Sequence, residues 1–171
     1  MSHIVIFSGG RGSSSLVSAI RSMDNIKSIT SLINTYDDGK SSGKLRKILN
    51  MPGPSDIRKV QELYLNKSNK NYKLYKSIFN KRINIDYSKF IFLLDEYIQS
   101  NDPILFDIKI NDKKINTYLK KYLKVFKNLI IKKKIKTTDL SLMNIIYAGS
   151  FFYYKKDINK SIDSLSKLFD I

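Results

Sequence analysis

Cysteine is absent from the 171 residues. The chain therefore has no disulfide framework, no thiolate nucleophile and no cysteine-held metal. Histidine occurs once, as His3, which excludes a histidine-based triad or a multi-histidine metal site within one chain. No apolar run reaches the roughly 18 residues that a membrane span needs. The first residues lead into a strand-like segment without the basic and apolar pattern of a secretory leader. These absences describe a soluble, cytoplasmic protein with no membrane partner.

Basic charge is abundant. Lysine and arginine exceed acids by 16, a balance that attracts anions. The lysines are spread along the whole chain and no nucleic-acid-binding motif accompanies them, so no specific nucleic-acid partner is expected. The densest cluster, Lys132-Lys133-Lys134 with Lys136, reads as a solvated helix end. The length of 171 residues suits one domain, or one domain with an insertion, and a hydrophobic content of 42% is enough for a core.

Ile4 to Phe7 form a short apolar run that ends in Ser8-Gly9-Gly10-Arg11-Gly12. Bounded this way, the run predicts a buried parallel strand. Ser13, Ser14 or Ser15 caps the helix that follows, with Leu16, Val17, Ala19 and Ile20 as its apolar face. Ile29 to Ile33 give a second strand, which completes a βαβ unit with a right-handed crossover. Gly10, Gly12 and Ser15 approximate a G-x-G-x-x-G turn, where glycines let backbone approach phosphate at a helix N-terminus. Asp37 stands where a dinucleotide fold holds a ribose.

Residues 37–58 combine acids, glycines, hydroxyls and basic residues without hydrophobic periodicity, and predict a ligand-holding loop. Asp37 and Asp38 suit a hard cation such as magnesium. Gly39 and Gly43 permit close backbone turns. Ser41 and Ser42 offer donors to phosphate, and Lys40, Lys44 and Arg46 supply countercharge. Ser55 is the expected N-cap of a helix that runs on to about residue 66. Further helices are predicted over 72–81, 87–99, 113–135 and 140–154, and from Asp157 onward. Ile104 to Ile110 read as one strand, turning at Asn111-Asp112.

These segments resemble the 2-phospho-L-lactate transferase (CofD) and YvcK gluconeogenesis-factor family. Its GGGTG turn, (A/V)DDGGSSG-R-LR loop and P-x-P/G-GD-IR segment correspond to Ser8–Gly12, Tyr36–Arg46 and Pro52–Arg58. Residues 75–82 look like the family's LF-x-x-R-F segment, and 144–168 like its GN-L-x-x-A helix pair. Residues 84–135 match poorly. The resemblance implies an α/β, Rossmann-like parallel-sheet beginning with a large, mainly helical insertion and an incomplete sheet. The divisions are a βαβ unit with ligand loops over 1–65, the insertion over 66–139 and a helix pair over 140–171.

By the same resemblance, magnesium lies on Asp37, Asp38 and Asp56, with Asp38 and Asp56 in catalytic positions. Phosphate or ligand falls to Gly9, Gly10, Gly12, Gly39, Ser41, Ser42, Gly43, Arg46, Arg58 and Asn144. The implied ligand is a nucleotide-diphospho-linked small molecule, whose phosphate-linked group passes to an acceptor hydroxyl. A non-catalytic, UDP-sugar-binding regulator and a truncated, non-catalytic remnant are the alternatives. Three departures stand out: Arg11 replaces a hydroxyl residue, Lys40 a glycine, and Ser55 the glycine before the aspartate. The family's second glycine-rich loop has no counterpart, so the resemblance covers its N-terminal half and implies a homo-oligomer or a complementary subunit.

Overall fold

β1 (Ser2–Ser8) and β2 (Ile26–Ile33) lie parallel, in register from His3 opposite Ser28 to Ser8 opposite Ile33. The computed structural model describes residues 2–37, 39–133 and 139–171. Between the strands run a 3-10 turn (Gly10–Ser13) and α1 (Ser14–Arg21). α2 (Lys40–Leu49) and α3 (Pro54–Tyr64) follow β2. The remaining helices are α4 (Tyr72–Asn80), α5 (Tyr87–Gln99), α6 (Lys113–Lys133), α7 (Leu142–Tyr153) and α8 (Ile158–Leu168). Short antiparallel pairs join β3 (Arg82–Ile83) to β6 (Leu140–Ser141), and β4 (Ile104–Leu105) to β5 (Ile108–Lys109). The architecture is α/β with a Rossmann-like parallel start.

Several expectations need correction. Residues 37–58 are not one loop, because α2 occupies half of the stretch. Leu45 and Leu49 are buried in the main core and anchor that helix despite its polar sequence. α2 ends at Asn50, whose φ of 49° is the left-handed conformation that stops helices. Ser55 does not cap α3. Gly53 takes that place, and Pro54 occupies the first helical position, where its missing N–H costs nothing. Ser13 precedes α1 without a side-chain capping bond, since the 3-10 turn supplies the entry instead. The strand expected over 104–110 is a hairpin that turns through Phe106 and Asp107, both at positive φ. Lys134 and Lys136, and the expected end of the 113–135 helix, fall outside the described residues. Asp157 does begin α8, accepting a hydrogen bond from the Lys160 backbone N–H at 3.0 Å.

Two hydrophobic cores are separate. The small one joins Ile6 of β1 to Val17 and Ile20 of α1, with Leu63 and Tyr64 of α3 alongside. The large one runs from Leu45 to Phe169 and takes in every helix from α2 to α8. α7 lies at its centre and is buried on all sides from Leu142 to Phe151, as a helix apolar around its whole circumference must be. Gly149 makes this possible: a Cβ there would overlap the Tyr122 carbonyl of α6. Among the described residues, no helix is long and apolar enough to cross a membrane.

Candidate functional site

The carboxyl ends of β1 and β2 lie side by side, tied where the Asn34 N–H donates to the Ser8 carbonyl at 3.2 Å. In open α/β sheets this is where ligands bind. After β1, the chain turns through Gly10 at φ +84°, a conformation that disfavours a side chain. A Cβ on Gly10 would stand 2.6 Å from Asp56 Oδ1, so the glycine lets the Asp56 carboxylate rest against the turn. Ser8 Oγ donates to Ser13 Oγ at 3.1 Å, and Ser13 Oγ donates to the Gly10 carbonyl at 3.2 Å, bracing the turn from beneath. Gly9 and Gly12 face open space.

After β2, Asp37 Oδ1 accepts from the Gly39 N–H at 2.8 Å. α2 then starts at Gly39 with no side-chain cap. The first amides of a helix lack partners within it and attract anions. Asp56 lies in the first turn of α3, where the helix dipole favours a carboxylate. Lys59 Nζ pairs with its Oδ1 at 2.9 Å. The Arg46 guanidinium stacks 4.2 Å from the centre of the Tyr36 ring, which is mostly solvent-exposed.

The hydroxyls expected on phosphate face inward. Ser41, Ser42, Ser55 and Asn144 are all buried. Asn144 Nδ2 donates to Ser41 Oγ at 3.1 Å and to Ser55 Oγ at 3.0 Å. The Ser141 N–H also donates to Ser41 Oγ, at 3.0 Å, and the Ser55 N–H donates to Ser42 Oγ at 3.3 Å. These side chains therefore lock α2, α3 and α7 together. Any contact of this segment with phosphate falls to backbone rather than to these hydroxyls, and Gly43, itself buried, already gives its N–H to the Gly39 carbonyl at 2.6 Å. Asp38 lies outside the described residues.

A charged cluster that the sequence marks only in part stands behind the turn. Arg11 Nη2 donates to Glu62 Oε2 at 3.1 Å and to Asn80 Oδ1 at 3.4 Å. Lys76 Nζ and Asn80 Nδ2 donate to Glu62 Oε1 at 2.6 and 2.8 Å. Burial alone would raise the Glu62 pKa, but the bonds from Lys76, Asn80 and Arg11 outweigh it and hold the carboxyl at about 2. Arg58 Nη1 donates to the Phe79 carbonyl at 2.7 Å, and its buried Nε has no partner among the described residues. Burial pulls the Arg58 pKa down, Glu62 opposes this, and the neighbouring Arg11 and Arg82 add to it. Three arginines thus share one field with Asp37 and Glu62. The sequence marked Arg58, as a ligand residue, and Arg11, in a turn that otherwise carries glycine and serine, but carried no signal for Glu62, Lys76 or Asn80.

Comparison with known proteins decides the family. Residues 4–152 match the family described as 2-phospho-L-lactate transferase CofD. The chain belongs to that family. It is 43% identical over 58 residues to a gluconeogenesis factor of Halalkalibacterium halodurans, covering 34% of this chain and 17% of that protein. It is 44% identical over 57 residues to the gluconeogenesis factor of Bacillus subtilis, covering 33% of this chain and 17% of the relative. The fold of the CofD-family chain is similar to the crystal structure of a UPF0052 family member from Bacillus halodurans, with a TM-score of 0.55 and 22% identity. That match covers 100% of this chain and 37% of the other.

Proposed function

We propose that this chain binds a nucleotide-diphospho-linked ligand at the carboxyl ends of β1 and β2, with magnesium, and transfers its phosphate-linked group to an acceptor hydroxyl. The observation that carries this reading is Asp56 lying against Gly10. It brings a carboxylate from α3 to the turn that follows β1, while the Ser55 N–H to Ser42 Oγ bond holds the start of α3 against the first turn of α2. Membership of a transferase family supports it.

Asp37 and Asp56 are oxygen donors of the kind magnesium takes, usually one or two carboxylates with phosphate and water completing the shell. Asp37 keeps Oδ2 without a described bond. Among the described residues no three His, Cys, Asp or Glu side chains cluster as a metal-holding group, so in this reading phosphate and water complete the shell. Asp37 and Asp56, together with Asp38, would hold magnesium, which supplies charge neutralisation on the diphosphate. The backbone of the Gly9–Gly12 turn and the first amides of α2 donate to phosphate oxygens. Arg58 and Arg46 balance the remaining charge. Asp38 and Asp56 orient the acceptor hydroxyl and take its proton. Calorimetry with magnesium and GDP or UDP tests binding, and failure of both nucleotides to bind overturns the reading. Release of nucleoside monophosphate from a nucleotide-diphospho-lactate in the presence of an acceptor tests transfer.

A second reading is regulatory. Relatives named gluconeogenesis factor favour a regulatory role, in which the chain senses a UDP-sugar at the same site without turnover. Saturable binding of UDP-glucose with no turnover of any nucleotide-diphospho-substrate supports it over transfer.

A further inference from the structure

Gly10 makes room for two side chains of α3, not one. A Cβ there would stand 2.6 Å from Asp56 Oδ1 and 3.1 Å from Lys59 Cδ. Asp56 and Lys59 are three residues apart on one helix, so they share a face. Lys59 Nζ donates to Asp56 Oδ1 at 2.9 Å, with 31% of the lysine side chain and 14% of the aspartate side chain exposed. The lysine stem therefore runs along the turn after β1. Its ammonium occupies an oxygen of the very carboxylate that the ligand reading gives to magnesium.

An ammonium and a magnesium ion are alternatives on that oxygen. Magnesium sits about 2.1 Å from a carboxylate oxygen. The Lys59 ammonium, 2.9 Å from the same atom, would then stand within about 5 Å of the dication, where like charges repel. Lysine suits an exchange, because its ammonium is a point charge on a flexible stem and binds phosphate readily. Rotation about the last bonds of the stem lifts Nζ off the carboxylate while Cδ stays against Gly10. The ammonium then remains over the turn, where Gly9 and Gly12 face open space. Glu62, one helical turn further along, offers no second home. Its Oε2 is taken by Arg11, and its Oε1 by Lys76 and Asn80. The partner that draws Lys59 from Asp56 must come with the ligand.

We propose that Lys59 is a tethered cation that keeps magnesium off Asp56 until a phosphate oxygen takes its ammonium, so that metal and diphosphate bind as a pair. The inference rests on the ligand reading and adds the residue that couples its two halves. The coupling is reciprocal: whatever factor diphosphate adds to magnesium affinity, magnesium adds to diphosphate affinity. Without the ammonium, Asp56 is open to magnesium at all times, and diphosphate loses a cation.

Calorimetry on the native chain, Lys59→Met and Lys59→Arg tests the exchange. Magnesium is titrated alone, and pyrophosphate is titrated with EDTA present. Lys59→Met should bind magnesium alone at least fivefold more tightly than the native chain, and pyrophosphate in EDTA at least tenfold more weakly. Lys59→Arg keeps a cation at the carboxylate and should hold both affinities near the native values. Equal melting temperatures for the three chains separate these shifts from damage to the fold. Equal magnesium affinity in the native and Lys59→Met chains overturns the proposal, as does no magnesium binding by Lys59→Met. Pyrophosphate binding in EDTA that Lys59→Met does not weaken overturns it too. Failure of the ligand reading looks different: GDP and UDP then fail to bind, although Lys59→Met still gains magnesium and loses pyrophosphate.

Discussion

Asn144 of α7 and Ser41 of α2 are joined by a hydrogen bond of 3.1 Å, although 103 residues separate them. The same amide reaches Ser55 of α3, so one side chain ties together the helices on either side of the Pro52–Gly53 loop. Asn144→Ala should leave the buried Ser55 hydroxyl without its donor, while Ser41 keeps the Ser141 N–H, and cost about 1–3 kcal/mol, the usual penalty for an orphaned buried polar group. Urea denaturation measures this. Binding of magnesium and nucleotide should weaken with it, because the amide sets where α2 starts. An unchanged unfolding midpoint would remove Asn144 from that role.

Asp37 separates charge from geometry. Asn at this position keeps an oxygen to accept the Gly39 N–H, so Asp37→Asn should fold with stability within about 0.5 kcal/mol of the native chain, as expected for a surface substitution. Magnesium-dependent nucleotide affinity should fall at least tenfold. Equal affinity by calorimetry for the two chains would take Asp37 out of the metal site. Asp38→Asn should weaken binding in the same direction.

Glu62 makes stability depend on acid. Its folded pKa of about 2 lies below the ordinary 4.5, so the folded state favours the carboxylate. The contribution is complete above about pH 4.5 and is lost as pH falls toward 2. Glu62→Gln should lower the melting temperature at pH 7 and flatten its decline between pH 4.5 and 2. Parallel melting curves for mutant and native chain across that window would show that Glu62 does not hold the turn to α3 and α4.

Gly149 lets α6 and α7 approach closely. A Cβ there would come within 2.7 Å of the Tyr122 carbonyl carbon, and backbone cannot step aside as a side chain can. Gly149→Ala should destabilise the chain by about 1–3 kcal/mol or more, the range for overpacking a dense core. A chemical denaturation midpoint equal to that of the native chain would contradict this.

The sequence discloses those parts of the fold where local signals and tertiary demands agree. The run Ile4 to Phe7, the glycines after it and the second apolar run yield the βαβ start, though β2 begins earlier, at Ile26. α2 stayed hidden because its residues are mostly Lys, Ser and Gly, and it is fixed by burial of Leu45 and Leu49 rather than by propensity. The β4–β5 hairpin needs positive φ at Phe106, which no local rule assigns to phenylalanine. The ring is held instead by stacking on Phe90 at 5.5 Å. At the site, the order of acids and glycines was legible. The inward turn of Ser41, Ser55 and Asn144 was not, because their partners come from segments about 90 to 100 residues apart.

The division into two cores gives the molecule two opening units of unequal strength. Ile6, Val17 and Ile20 hold the β1–α1–β2 unit with a handful of side chains, whereas α7 sits inside a cluster spanning six other helices. Amide protons of β1 and β2 should therefore exchange with solvent well before those of α7, by sub-global opening rather than full unfolding. Gly10 belongs to the weaker unit and Asp56 to the stronger, and they meet at the strand ends. A ligand bound there acts as a stitch between the two units, and it should slow exchange in β1 and β2 while leaving α7 untouched.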